Sequence, residues 1–224
     1  MSDLLPYIEI ETAPNPQASV IWLHGLGADG NDFASIVPQL DLTGCLPIRF
    51  VFPSAPSMPV TINGGYVMPA WYDIAAPDLT HQQDVKGIQK SASAIAALIE
   101  QEIQKGIPSN KIVLAGFSQG CAMALYIGLS FPQPLAGIMA LSGYLPLAEN
   151  FLSFRNSANF NTPIFMGHGV WDPVVIPQRG EDSHALLKKH GYQVNWQTYP
   201  MEHSVHPNEL ADISLFLQEV LAVA

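Results

Sequence analysis

The sequence predicts a single-domain α/β fold, a mostly parallel central sheet with helices on both faces, spanning residues 1–224. Three observations predict it. Short β-rich runs alternate with helical ones, the pattern of strands joined by crossover helices. At 224 residues and 48% hydrophobic content, the chain can fill one large core. No repeat, charge block or low-complexity linker divides it.

Taken in order, Tyr7 to Thr12 reads as an outer strand, and Ser19 to Leu23 as a buried one ending in His24-Gly25-Leu26-Gly27. Ile48 to Phe52 is a short strand stopped by Pro53, and the Pro- and Gly-rich stretch Pro53 to Pro77 fits neither the strand nor the helix period. Long irregular loops in compact domains tend to be functional, so this one is a candidate substrate-contacting segment. Thr80 to Lys105 opens with Thr80 and Gln83 at capping-box spacing and carries Ile88, Ile95, Leu98, Ile99 and Ile103 at helical spacing. Lys111 to Phe117 is a strand, and Gln119 to Leu129 a helix apolar nearly all round, hence buried. Ala136 to Leu141, Pro163 to Gly167 and Gln193 to Tyr199 supply three more strands. Gln178 to His190 is a helix closed by Gly191, and Pro207 to Ala222 one opened by proline.

Composition excludes several functions. A net charge of −10 and a pI near 4.9 argue against nucleic-acid binding, which needs clustered Lys and Arg. No run approaches the roughly 18 apolar residues of a membrane span, so no stable membrane insertion is expected. Met1 to Tyr7 lacks the basic and apolar regions of a secretory signal, and Cys45 and Cys121 give no disulfide framework; a reduced, cytoplasmic setting is the expectation. Only 12% of residues are charged, a hint of an apolar ligand or partner surface.

Gly116-Phe117-Ser118-Gln119-Gly120 matches G-x-S-x-G. The pattern alone is weak, but here it follows a strand and precedes an apolar helix, as a nucleophile elbow requires. Ser118 is therefore the candidate nucleophile, at a helix N-terminus whose partial positive charge favours a developing oxyanion. Cys121, three residues on inside the helix, reads as a small packing residue. A serine hydroxyl needs a histidine to take its proton and a carboxylate to orient that histidine. In α/β hydrolases these follow in the order Ser, Asp or Glu, His, on loops after later strands. Asp172, in the loop after the strand at 163–167, is the acid by position; Asp182 falls inside a helix. After the last strand His203 lies free in its loop, whereas His206 directly precedes Pro207 and has a ready role at the helix N-cap, so His203 is the base. His24 is expected to stabilise its loop, His168 to line the acid turn, and His81, His184 and His190 to lie on helices. No histidine or cysteine pair has metal-ligand spacing with a third ligand nearby, so no metal and no cofactor are expected. Backbone N–H groups of Gln119 and Leu26 are the candidate oxyanion donors, since one such donor follows the nucleophile and the other comes from an early loop.

With these residues in view, the chain resembles the acyl-protein thioesterase and small carboxylesterase family of α/β hydrolases. The likeness rests on Leu23 to Gly30, Pro59 to Gly65, Ala70 to Asp73, Gly116 to Gly120, Gly167 to Val175 and His203-Ser204, in order from about residue 19 to the end. It implies a single-domain α/β-hydrolase fold, Ser118, Asp172 and His203 as the triad, and Leu26 and Gln119 as oxyanion donors. It also implies that the segment around Met68 and Trp71 borders an apolar acyl channel. One departure is Cys121, where the family usually has glycine. The stretch from Phe151 to Asn161 does not align. The expected activity is hydrolysis of acyl esters or thioesters through an acyl-enzyme, on a substrate such as a lipidated protein or a lysolipid. The alternatives are a hydrolase of small soluble esters and a non-catalytic binding protein on the same fold.

Overall fold

The computed structural model describes residues 4–79 and 81–223. Seven strands form one sheet: β1 (Tyr7–Glu11), β2 (Ala18–Leu23), β3 (Ile48–Pro53), β6 (Ile112–Phe117), β7 (Gly137–Leu141), β8 (Ile164–Gly169) and β9 (Val194–Tyr199). Two more, β4 (Ser57–Val60) and β5 (Tyr66–Pro69), pair separately as an antiparallel hairpin. The sheet order is β1-β3-β2-β6-β7-β8-β9, with β1 antiparallel to β3 and all other pairs parallel. All seven expected strands are present, shifted by at most two residues at their ends.

The helices are α1 (Asn31–Ala34), α2 (Val85–Gln104), α3 (Gln119–Ser130), α4 (Phe151–Phe154), α5 (Pro177–Lys189) and α6 (Pro207–Val220). Alternation along the strands explains how they are covered, since successive side chains point to opposite faces. Ile21, Leu23, Ile112 and Leu114 face α2 and α3; Val20, Trp22, Val113 and Ala115 face α1 and α6. Every residue of α3 from Gln119 to Leu129 is buried, as its all-round apolar sequence requires. Cys121 is a free thiol inside it, packed against Gly143 where a Cβ would lie 2.5 Å from its Sγ. Burial pushes that thiol far above its usual range, which leaves it inert.

Three expectations need correction. The stretch 53–77 is not irregular: it holds the β4–β5 hairpin, closed by Thr61–Asn63 and by Gly64 and Gly65 at φ of 66° and 80°. Helix α2 starts at Val85, with the Asp84 side chain accepting from the Gly87 amide at 2.9 Å; the expected cap Thr80 lies outside the described residues, and Gln83 Oε1 instead accepts from the Leu147 amide. His81 therefore sits in the turn before α2, hydrogen-bonded through its amide to Asp78. His184 lies on α5 and His190 caps its C-terminus.

The sheet order reverses between β2 and β6, so the loops leaving their C-terminal ends diverge and open a crevice, the usual ligand site of open α/β sheets. Both the His24–Gly27 loop and Ser118 stand there.

On helix α6, Glu209 is fully buried. Burial pushes its carboxyl up to about 8; the His206 backbone opposes this and the Asp212 charge adds to it. A carboxyl whose folded pKa is raised holds a proton that the unfolded chain has lost. Its stabilisation is complete below the ordinary value of 4.5 and is lost as pH rises toward about 8. Stability should thus decline by about 1 kcal/mol per pH unit across that window on account of this group. Glu209→Gln should flatten the decline, read from denaturant midpoints at successive pH values. Equal slopes in both proteins would show that Glu209 is ionised throughout.

Candidate active site

Ser118 caps the N-terminus of α3 with φ 55° and ψ −116°, a conformation rare for a residue with a Cβ. Its neighbours make the turn possible. A Cβ on Gly116 would lie 2.1 Å from the Gly120 carbonyl oxygen, and one on Gly120 would lie 2.2 Å from that of Leu23. The Ser118 amide donates to Leu141 O at 2.9 Å, which ties the elbow to β7.

The structure brings Ser118, His203 and Asp172 together. The Ser118 hydroxyl lies 2.9 Å from His203 Nε2, and His203 Nδ1 lies 2.6 Å from Asp172 Oδ2. A carboxylate only accepts, so Nδ1 carries the imidazole proton and Nε2 is left to accept from the hydroxyl. The other Asp172 oxygen accepts from the Val174 and Val175 amides at 2.8 and 2.9 Å. Burial works against the Asp172 charge, but the bonds from His203 and these two amides outweigh it and hold the carboxyl below its usual range. Asp172 thus both shapes its own turn and meets the histidine.

The acid and base loops are held against each other. Gly169 leaves no room for a Cβ, which would lie 2.4 Å from the Met201 and Glu202 carbonyl oxygens, and the Trp171 amide donates to Met201 O. His168 backs the acid loop: its Nε2 donates to Val175 O at 2.8 Å, and burial lowers its pKa, keeping it neutral beside Asp172. His203 packs on Phe117 with ring centroids 4.7 Å apart. His206 is the N-cap of α6, its Nδ1 accepting from the Asn208 amide at 3.1 Å, and lies away from the serine contact. Asp182 is exposed on α5, bonded to Gln178.

The early loop is braced by His24. Its Nε2 accepts from the Ala55 amide at 3.0 Å, so Nδ1 carries the proton and donates to Gly25 O at 2.7 Å. Burial lowers its pKa and favours this neutral form, with the Gly25 bond opposing. Gly27, at φ 79°, donates to Pro69 O, while the Leu26 amide has no hydrogen-bond acceptor among the described residues. Gln119 is the first residue of α3, where backbone N–H groups lack intrahelical acceptors. Two amides are thereby available beside Ser118.

A cavity of about 320 Å³ opens beside Ser118, Gln119 and Leu26. Its wall includes Ile62, Tyr72, Ile74, Leu79, Tyr144 and Val175, which makes it largely apolar. Met68 and Trp71 stand back from that wall. Trp71 is buried behind it, its indole N–H donating to His24 O at 2.9 Å, and Met68 lies against Gly27 on the hairpin. Tyr72, the next residue in the bend after β5, takes the lining position. No residue of 151–161 lines this cavity; α4 packs into the core through Phe151.

Sequence reasoning missed one further contribution. The Gln119 side chain accepts from the Trp71 amide at 2.8 Å and donates to the Tyr72 carbonyl at 2.7 Å, clamping the cavity wall to the start of α3. The only sequence signal was an amide side chain next to the nucleophile. Among the described residues no group of three or more His, Cys, Asp or Glu side chains is placed to hold a metal ion, and no helix is long and apolar enough to cross a membrane.

A family model described as phospholipase/carboxylesterase matches residues 6–221. The chain is 44% identical over 225 residues to acyl-protein thioesterase 1 of Neurospora crassa, covering 96% of this chain and 92% of that one. It is 40% identical to acyl-protein thioesterase 1 of Debaryomyces hansenii, covering 99% of both. Among solved structures, Arabidopsis thaliana SOBER1 superposes with a TM-score of 0.85 at 30% identity, covering 91% of this chain and 99% of that one.

Proposed function

Since this chain belongs to the phospholipase/carboxylesterase family and has the α/β-hydrolase fold, we propose that it hydrolyses acyl thioesters and esters through an acyl-enzyme on Ser118, with the acyl group of a lipidated protein as its main substrate. The observation that carries the reading is the hydrogen-bonded series Ser118–His203–Asp172 opening onto an apolar cavity. We read residues 1–224 as one catalytic domain. A reduced, cytoplasmic setting fits its two free thiols, Cys45 and Cys121.

In the first half-reaction His203 Nε2 takes the hydroxyl proton as Ser118 Oγ bonds to the acyl carbon. The negative oxygen of the tetrahedral intermediate lies against the Leu26 and Gln119 amides, in a position prepared before substrate arrives. As the carbon–sulfur or carbon–oxygen bond breaks, His203 returns the proton to the leaving atom. Water then attacks the acyl-enzyme with His203 again as base, and the free acid leaves. Asp172 stays ionised, holding the Nδ1–H tautomer and stabilising the imidazolium. The low-pKa environment of Asp172 supports that role.

Acyl-chain length tests the substrate class. Each buried CH₂ contributes about 0.8 kcal/mol, or at best about fourfold in kcat/KM. Ordering of the chain reduces this to about twofold per CH₂. A cavity of about 320 Å³ is at the small end of ligand sites. The rise should therefore continue to about eight carbons and then level. The measurement is kcat/KM for thioesters from acetyl to palmitoyl, kept below micelle-forming concentrations. A maximum at acetyl or propionyl would replace the acyl-channel reading with hydrolysis of small soluble esters.

A further inference from the structure

We infer that a groove on the far side of His203 receives the polypeptide leaving group, and that it selects an extended segment carrying lysine or arginine. The inference rests on the proposed acyl transfer. The acyl cavity is lined by Ser118 but not by His203. A second cavity, of about 450 Å³, is lined by His203, Phe117 and Ser204 but not by Ser118. The leaving atom must take its proton from His203 Nε2, so the leaving group emerges on this second side.

This cavity does not end beside the histidine. It shares Gln39, Pro207 and Leu210 with a third cavity of about 470 Å³, and the two form one groove along α6. Its wall is a single helical stripe at spacings of three and one: Pro207, Leu210, Ala211, Ser214, Leu215 and Gln218. From Pro207 to Gln218 the helix rises about 17 Å. That length accommodates about five residues of extended peptide. The opposite wall is the segment from Asp32 to Asp41. The far end is closed where the Asp41 amide donates to Ser214 Oγ and Gln218 Nε2 donates to Asp41 O.

Charge identifies the occupant. All nine Lys and Arg residues of the chain lie between Arg49 and Lys189, so the two segments that build the groove contain none. They do place Asp32 and Asp41 on the groove and Asp29 and Glu202 nearby in sequence. A peptide with alternating apolar and basic residues matches the apolar stripe and the acidic rim. An anionic leaving group, such as an acidic peptide or a glycerophosphoryl group, meets like charge.

The test uses octanoyl thioesters on the cysteine of two peptides, Cys-Lys-Leu-Lys-Leu and Cys-Glu-Leu-Glu-Leu, and of their reversed sequences, all with blocked ends. Two exposed charge pairs contribute about two- to fivefold each. The lysine peptide should therefore be favoured by about tenfold in kcat/KM at about 0.05 M salt, and by under about threefold at about 0.5 M. The Asp32→Lys/Asp41→Lys double variant should bring the ratio to about one or below. Leu215→Lys, at a side chain 61% exposed on the groove, should lower it in a protein whose fold that substitution does not strain. Equal or reversed selectivity in the unsubstituted protein, or a preference that neither variant alters, would overturn the groove assignment. Octanoyl-N-acetylcysteamine separates the two levels. Its hydrolysis without peptide discrimination sinks the groove alone, whereas failure to hydrolyse it at all sinks the acyl-transfer reading.

Discussion

Ser118→Ala should lower kcat by at least about 10³-fold and abolish labelling of the protein by a fluorophosphonate. The size of the effect follows from what the hydroxyl does. In the proposed mechanism it forms the covalent bond to the acyl carbon, and the nearest thiol cannot replace it. Cys121, the one thiol on the same helix, is fully buried and kept protonated by that burial. The residual rate should come from the two amides and the cavity, which still bind substrate and polarise its carbonyl. Intact-mass and peptide analysis should find one label per chain, at Ser118, because it is the serine held 2.9 Å from His203 Nε2. Labelling that persists unchanged in Ser118→Ala would dispose of the nucleophile assignment.

The two histidines of the last loop should part company just as widely. His203→Ala should cost about 10³-fold or more in kcat. His206→Ala should cost under about tenfold, with about 1 kcal/mol of stability lost as the α6 cap goes. The distinction is geometric. His203 contacts both Ser118 and Asp172, while His206 is spent on the Asn208 amide and lies over the Tyr199 ring at 6.3 Å. Steady-state kinetics on one acyl thioester and a denaturant melt of each variant suffice. An inactive His206→Ala that remains folded would mean the base had been misassigned.

How much of this could be read from residues alone depends on the range of the interaction involved. The five inner strands were legible because each buries both faces, so its sequence is a short apolar run with sharp boundaries; β1 and β9, at the sheet edges, were legible from alternating apolar and polar residues. The elbow was legible because its chemistry is local: two glycines and a serine within five residues. The β4–β5 hairpin was not, because Pro59, Pro69 and the glycines suppress the strand pattern, although Asn63-Gly64 is itself a hairpin signal. The start of α2 was misplaced because Thr80 and Asp84 are both competent caps, and the Gln83 side chain is drawn away to Leu147. The resemblance placed the segment around Met68 and Trp71 at the acyl channel, but which residue of a segment faces a cavity is set by how the backbone turns there. Tyr72 faces it and Trp71 does not. The groove beside His203 had no local signature at all, since its two long walls come from opposite ends of the chain and Phe117 from the middle.

The Gln119 clamp ties together two properties that are usually treated as separate. Its amide N–H is the proposed oxyanion donor, and its side chain holds the Trp71 and Tyr72 backbone that carries the cavity wall. A substitution that widens the cavity by shifting Tyr72 therefore drags on the first turn of α3, and one that disturbs that turn reshapes the cavity. If the cavity holds the acyl chain as proposed, chain-length preference and turnover are coupled through this one residue. A lineage drifting toward longer or shorter acyl groups would have to change residues farther along the wall, such as Ile74 or Leu79, where selectivity can vary without reaching the serine.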